Sequence, residues 1–214
     1  DKLKDEFLAN TSHELRTPLY GITGLAESLI DGATGELPAE TKANLSMIAG
    51  SGRRLGRLVD DILDHSRLTH KSLKLRRRPV DLRPLAEVVL TLQGPLAGSK
   101  ELELINAVPP DLPAADAYEA RLEQILHNLV GNAVKFTEEG KIEVSATIEV
   151  AELVVTVEDT GIGIPQDKRE QIFGAFEQAD SGVQRAFGGT GLGLTVTREL
   201  VELHGGSIRV ESTV

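Results

Sequence analysis

Apolar residues recur at helical spacing through the first third of the chain. At about 100° per residue, Leu8, Leu15, Leu19, Ile22, Ala26 and Leu29 fall on one face. The stretch Asp31-Gly-Ala-Thr-Gly-Glu-Leu-Pro38 is too rich in Gly and Pro for helix interior and predicts a turn. Beyond it, Leu45, Ile48, Gly52, Leu55, Val59, Ile62 and Ser66 alternate in steps of three and four, a heptad seam. Two long helices joined by a short loop make an antiparallel hairpin. A lone hairpin cannot bury both stripes, so the pattern predicts a symmetric partner and a four-helix bundle across a homodimer.

Lys74-Leu-Arg-Arg-Arg-Pro79 breaks the helical pattern and sets a domain boundary, with residues 1–74 before it and 75–214 after it. Its arginines read as a basic patch or as a solvated linker before a proline. The second part alternates. Helices are predicted over 82–97 and 116–136, and shorter ones over 166–173 and 192–204. Strands are predicted over 102–107, 141–150, 153–158 and 207–211, the middle two as a Val- and Ile-rich hairpin. Helices interspersed with a partly antiparallel sheet make an α/β sandwich, so the fold class is α+β.

Charge narrows the function. Lys plus Arg number 23 against 33 Asp plus Glu, a net charge of −10. That argues against a coat for nucleic acid or for an anionic membrane surface. Absence of Cys excludes disulfide scaffolds, thiolate zinc sites and cysteine nucleophiles. No apolar run is long enough to span a bilayer, and no signal peptide opens the chain. It begins in a charged helical pattern, as a piece of a longer protein or a cytoplasmic one would.

Four segments carry candidate chemistry. His13 lies about 160° from the apolar stripe and should face solvent, with Thr17 one turn further on the same side. An exposed imidazole can act as a nucleophile, and Glu14 can orient it or take its proton. Pro18 removes a backbone hydrogen bond and crowds the carbonyl of Glu14. An ordinary surface histidine would look the same in isolation, and His65, His70, His127 and His204 are read that way. In the second segment, Asn128-Leu-Val-Gly-Asn132-Ala-Val-Lys135-Phe136-Thr137, both amides and the ammonium share a helix face. That set suits a metal–phosphate group, or simply a face towards water. Phe136 is core or borders a flat ring.

The third segment is Glu158-Asp159-Thr160-Gly161-Ile162-Gly163-Ile164-Pro165. An Asp at a strand end followed by glycines presents a carboxylate where backbone can pass close to a ligand. Such a carboxylate can accept from the exocyclic amine of adenine; a plain β-turn is the alternative. The fourth, Gly188-Gly189-Thr190-Gly191-Leu192-Gly193-Leu194, runs into the last helix as a phosphate cradle. No Gly-Lys-Ser or Gly-Lys-Thr ends it, so it is not a P-loop. The polar, small residues before it suit a mobile lid, from which Arg185 reaches a terminal phosphate or faces solvent.

The order of these segments is specific. His13-Glu-Leu-Arg-Thr-Pro-Leu19 resembles the H-box of sensor histidine kinases. Residues 128–137 resemble their N-box, 159–164 the first glycine box, Phe173-Gly-Ala-Phe176 the F-box, and 189–194 the second glycine box. The resemblance covers nearly the whole chain. It implies a HisKA-type dimerisation and phosphotransfer hairpin followed by an ATP-binding sandwich of GHKL (Bergerat) type. It also implies His13 as phosphoacceptor, Asn132 helped by Asn128 on Mg²⁺, and Lys135 and Arg185 on phosphates. Asp159 would bond the adenine amine, while Thr190 and the nearby glycines line the lid end. The implied partner is the receiver domain of an aspartate-bearing response regulator. Two departures stand out. Tyr20 occupies a position where many family members have Asn, and the chain stops at Ser212-Thr-Val214, where members continue into a closing strand.

Three readings compete. One is ATP-dependent transfer to His13, by positioning and Mg²⁺ electrostatics. Another is a chaperone-like or mismatch-repair-like ATPase, in which a water-activating Glu precedes the magnesium Asn by one helical turn. That position is Asn128, an amide that cannot act as a general base. The third is a non-catalytic dimerising scaffold, against which the full set of polar pocket residues argues.

Overall fold

The structure, a computed structural model, describes residues 2–69, 76–98, 100–150, 152–175, 177 and 191–214, with side chains from residue 14 onward except those of residues 67, 69 and 96. The chain divides into two compact units, Asp1–Leu73 and Lys74–Val214.

Helices α1 (Lys2–Ile30) and α2 (Ala39–Thr69) form the hairpin of the first unit. Small residues let them approach closely. Thr23, Ala26 and Ala49 are buried between them, and a Cβ on Gly52 would fall on Thr23 Oγ1. Arg16 Nε donates to Asp60 Oδ1 at 3.2 Å. That hydrogen bond holds the Arg16 guanidinium above its ordinary pKa. Arg53 pairs with Glu27. The first pair is half-buried and the second exposed, and both stay largely open to solvent, so they orient the helices more than they stabilise them.

The apolar pattern of the hairpin divides in two. Ala26, Ala49 and Leu63 are buried within the single chain. Leu15, Ile22, Ile48, Leu55 and Ile62 stay 46–52% exposed. A stripe of that composition along both helices is more than scattered surface apolarity.

The second unit comprises β1 (Arg78–Val80), α3 (Leu82–Ala97), β2 (Glu101–Asn106), β3 (Ala115–Ala117), α4 (Glu119–Phe136), β4 (Glu139–Glu149), β5 (Glu152–Asp159) and α5 (Gly193–Leu203). Asp81 caps α3, its carboxylate accepting from Arg83 N. Strands β2 and β4 run parallel, and β4 pairs antiparallel with β5. Alternate residues of β4, Ile142, Val144 and Ala146, are buried. They form one core with Val89 of α3 and Leu126 and Val130 of α4. That is a sheet with one helix-covered face, as the α+β reading expects.

Four expectations need correction. Residues 78–80 are not linker but strand β1, paired with β3. Helix 116–136 begins only at Glu119, because 115–117 belong to that ladder. Segment 166–173 is two 3₁₀ turns, closed by Lys168 N to Pro165 O and Gly174 N to Gln171 O, i→i+3 bonds that do not propagate into an α-helix. Residues 207–211 alternate in burial like a strand yet form none. Burial period is a property of one segment, whereas a ladder needs a partner. Ser212 instead meets the loop after β5, its hydroxyl accepting from Ile164 N at 2.8 Å.

His204 is also more than a surface residue. Tyr118 N donates to its Nε2 at 3.2 Å, and its Nδ1 lies 2.7 Å from Leu200 O. Arg77 donates to Leu203 O at 3.0 Å. The end of α5 is thus tied to β1 and to the start of α4.

The close approach at Gly52 is testable by paired substitutions in α2. Gly52→Ala should destabilise the hairpin by about 1–3 kcal/mol through overpacking against Thr23. Gly50→Ala, where a Cβ meets nothing within 4 Å, should be neutral or stabilising by roughly 0.5–1 kcal/mol. Chemical denaturation at one fixed protein concentration measures both.

Candidate active site

Strand register sets the direction of Asp159. Its partner across the ladder is Ile142, with Val157 opposite Val144 and Val155 opposite Ala146. Paired residues share a face. Asp159 therefore ends a row of core residues on the helix-covered face, at an open margin where it is exposed. The opposite face is charged. Lys141 donates to Glu143 at 3.1 Å. That bond and the charge of Glu143, aided by Glu158 and Glu103, raise the Lys141 ammonium above the usual lysine range.

The end of α4 meets that margin. A helix terminus leaves carbonyls to be satisfied, and here each finds a donor. Thr137 N donates to Ala133 O at 3.0 Å, and Ile162 N to Phe136 O at 3.3 Å. Lys100 Nζ donates to Val134 O at 2.9 Å, Lys135 O at 3.2 Å and Thr137 O at 2.9 Å. Its cation also complements the negative end of the helix dipole. The loop after β5 is thereby stitched to α4. Gly161 is the tight point, since a Cβ there would stand 2.5 Å from Phe136 O and 2.8 Å from both Asp159 Oδ1 and Thr137 Oγ1. Gly161 N donates to Asp159 Oδ1 at 2.9 Å. Gly163 has φ +70° and lies against the backbone of Thr213.

Asn128 marks the other end of the same helix face. Its Nδ2 donates to Gly193 O and to Thr197 Oγ1, each at 3.3 Å. Eight residues of helix separate Asn128 from Phe136, about 12 Å. Asn132 and Lys135 lie between, half-buried like both ends. Lys135 Nζ stands 4.5 Å from the Phe136 ring centroid. Gly191, with φ +70°, and buried Leu192 lead into α5 at Gly193. Thr195 donates to Phe173 O at 3.1 Å, fixing the first turn of α5 against the preceding 3₁₀ turn.

One helix face thus runs from a glycine loop with a carboxylate to a glycine-led helix start. The residues suit a nucleotide. Gly161 lacks the side chain that would fill the space beside Asp159. Thr137 Oγ1 is buried there with no hydrogen-bond partner among the described residues. Among those residues no three His, Cys, Asp or Glu gather to hold a metal. Two amides alone bind a hard cation poorly, so Mg²⁺ suits this donor set only together with phosphate oxygens.

In the first unit, Glu14 and Thr17 lie exposed on α1. The backbone of His13 is helical, but its side chain lies outside the described residues, as do Arg185, Gly189 and Thr190. Sequence reasoning passed over Lys100 and Thr137. Lys100 lies 34 to 37 residues from its acceptors, beyond any local pattern. Thr137 carries no role in that reading although it closes the 128–137 segment.

Fold and site define a helical hairpin followed by a sandwich whose α4 face suits a nucleotide. Residues 3–71 match the family described as "His Kinase A (phospho-acceptor) domain". Residues 117–214 match "Histidine kinase-, DNA gyrase B-, and HSP90-like ATPase". The chain belongs to the sensor histidine kinases and carries their catalytic core. It is 45% identical over 215 residues to the sensory/regulatory protein RpfC of Xanthomonas campestris pv. campestris, covering 97% of this chain and 29% of that protein. It is 43% identical to the sensor protein GacS of Pseudomonas syringae pv. syringae, covering 99% of this chain and 24% of that protein. The chain therefore spans less than a third of these relatives. Among solved structures, full-length ShkA in complex with AMPPNP superposes with a TM-score of 0.76 at 38% identity, covering 97% of this chain and 44% of that one. Histidine kinase ThkA in complex with the response regulator protein TrrA gives 0.62 at 25% identity, covering 96% and 57%.

The Lys100 cap yields a direct test. Lys100→Met keeps the stem and removes all three donors, so it should destabilise the second unit by roughly 1.5–3 kcal/mol. Lys100→Arg should recover part of that. Denaturant unfolding of the whole chain, followed at both units, measures it.

Proposed function

We propose that this chain is an ATP-dependent protein histidine kinase. The observation that carries the reading is the single face of α4 that joins the Asp159–Gly161 corner to the start of α5. Bound ATP with Mg²⁺ supplies the γ-phosphoryl group. Asp159 accepts from the adenine amine, Gly161 and Gly163 let the base approach, and Phe136 borders the ring. Asn132 offers its amide oxygen to Mg²⁺. Asn128, whose amide nitrogen already holds α5, has its oxygen left for the same role. Lys135 and Arg185 contact phosphates, and Gly189, Thr190, Gly191, Leu192 and Gly193 line the lid end. AMPPNP in the related ShkA structure supports a nucleotide of this kind.

His13 receives the phosphoryl group on an imidazole nitrogen. A nitrogen–phosphorus bond forms as the bond to the ADP oxygen breaks; the unprotonated ring nitrogen attacks, and the proton leaves from the other ring nitrogen. Glu14, the nearest carboxylate in sequence, takes that proton or holds the ring. Thr17, over the same face as His13, is too weak a base for that task. It positions water when the phosphoryl group of a partner is hydrolysed. The group passes from His13 to an aspartate of a receiver domain, a partner class that the ThkA–TrrA complex supports.

Residues 1–74 also dimerise. Leu15, Ile22, Ile48, Leu55 and Ile62 remain exposed in one chain, and a second hairpin covers them as a four-helix bundle. No helix among the described residues is long and apolar enough to cross a membrane. We assign this portion to the cytoplasm, whatever anchors the full protein. The net charge of −10 disfavours nucleic acid as a partner.

Incubation with γ-labelled ATP tests the activity. Label should be acid-labile and base-stable, absent in His13→Ala, and slowed roughly 10²–10⁴-fold in Glu14→Gln if Glu14 is the base. Label retained in His13→Ala would refute the assignment. The dimer is tested by light scattering. The parent chain should be dimeric at micromolar concentration, and Leu55→Asp or Ile62→Asp monomeric, because a buried unpaired charge costs several kcal/mol.

A further inference from the structure

The end of α4 contains one polar group for which the fold provides no partner. Thr137 is fully buried. Its backbone is completely paired, N–H to Ala133 O and carbonyl to the Lys100 ammonium. Its hydroxyl oxygen is buried with no hydrogen bond among the described residues, a condition shared there only by the side-chain amide of Gln93. Leaving a hydroxyl so is unfavourable, and Val would fill the same volume without that cost. Lys100 and the helix hold the backbone, and a β-branched side chain has little freedom to turn away.

Position says where a partner comes from. The Cβ site of Gly161 lies 2.8 Å from Thr137 Oγ1 and 2.8 Å from Asp159 Oδ1. The hydroxyl and the carboxylate therefore both border the space a Gly161 side chain would occupy. Oδ1 already accepts from Gly161 N. A ligand that reaches Asp159 thus arrives beside a hydroxyl that can donate as well as accept.

We propose that Thr137 is a nucleobase-positioning residue, its hydroxyl finding on the side of the bound base, next to Asp159, the hydrogen bond it lacks in the ligand-free chain. This rests on the nucleotide reading above. Thr137 moves no proton and touches no phosphate; its work is to fix the base against the Asp159–Gly161 corner.

Two variants of the whole chain test it, Thr137→Val and Thr137→Ser, with ADP binding measured by calorimetry and ligand-free stability by denaturation. Thr137→Val should be at least as stable as the parent without ligand, yet bind ADP about tenfold more weakly, the effect of one lost hydrogen bond. Thr137→Ser should bind within about threefold of the parent, since it keeps the hydroxyl. A structural role would show the reverse: Thr137→Val less stable without ligand, with unchanged affinity per folded molecule. Either that loss of stability or parent-like ADP binding by Thr137→Val overturns the proposal while leaving the nucleotide reading intact. Failure of the parent itself to bind ADP overturns both.

Discussion

A helix that ends inside a protein must dispose of carbonyl groups that have no further turn to bond to. Helix α4 ends beside the loop after β5, and the donors it recruits determine what else can stand there. Lys100 takes three of the carbonyls, Ile162 N takes that of Phe136, and Thr137 N closes the last turn. The bond from Ile162 draws the glycine loop onto the helix, and Gly161 permits that approach. Register then carries Asp159 to the same margin. Eight residues back along the same face, Asn128 binds the first turn of α5. Fixing one helix end therefore fixes both borders of the site and the spacing between them.

Much of this was legible in the sequence because it is local. The helix over 82–97 coincides with α3, a stretch whose Asp81 cap and apolar period act within single turns. The hairpin of β4 and β5 shows in Val and Ile alternation. Asn128, Asn132 and Lys135 share a face simply because they are four and three apart. What stayed hidden depends on partners distant in the chain. Strand β1 is three residues long and basic or proline-containing, and only the return of β3 makes it a strand. Segment 207–211 is the converse, strand-like in period but without a ladder. Lys100 and His204 bear the loads described above through contacts with distant segments. Of the site residues expected from sequence, the structure brings Phe136, Asp159 and Gly161 to one corner and Asn128 and Gly193 to the other.

The hairpin follows a different economy. Its inner face is narrow because Thr23, Ala26, Ala49 and Gly52 let the helices come close. Larger apolar residues are left on the outside, exposed in the single chain rather than packed in its own core. A heptad seam read from sequence does not say which of its residues serve which interface. The structure separates them by exposure, and the separation gives the first unit a reason to associate that is independent of the chemistry of the second.

The account turns on one face of α4 spanning a nucleotide from base to phosphates. The most direct measurement is a crystal structure of the chain with a non-hydrolysable ATP analogue and Mg²⁺. The base should lie at the Asp159–Gly161 corner beside Phe136, with the phosphates along Asn132 and Lys135 towards Gly193. A nucleotide bound in the reverse sense along this face, or elsewhere on the second unit, would contradict it.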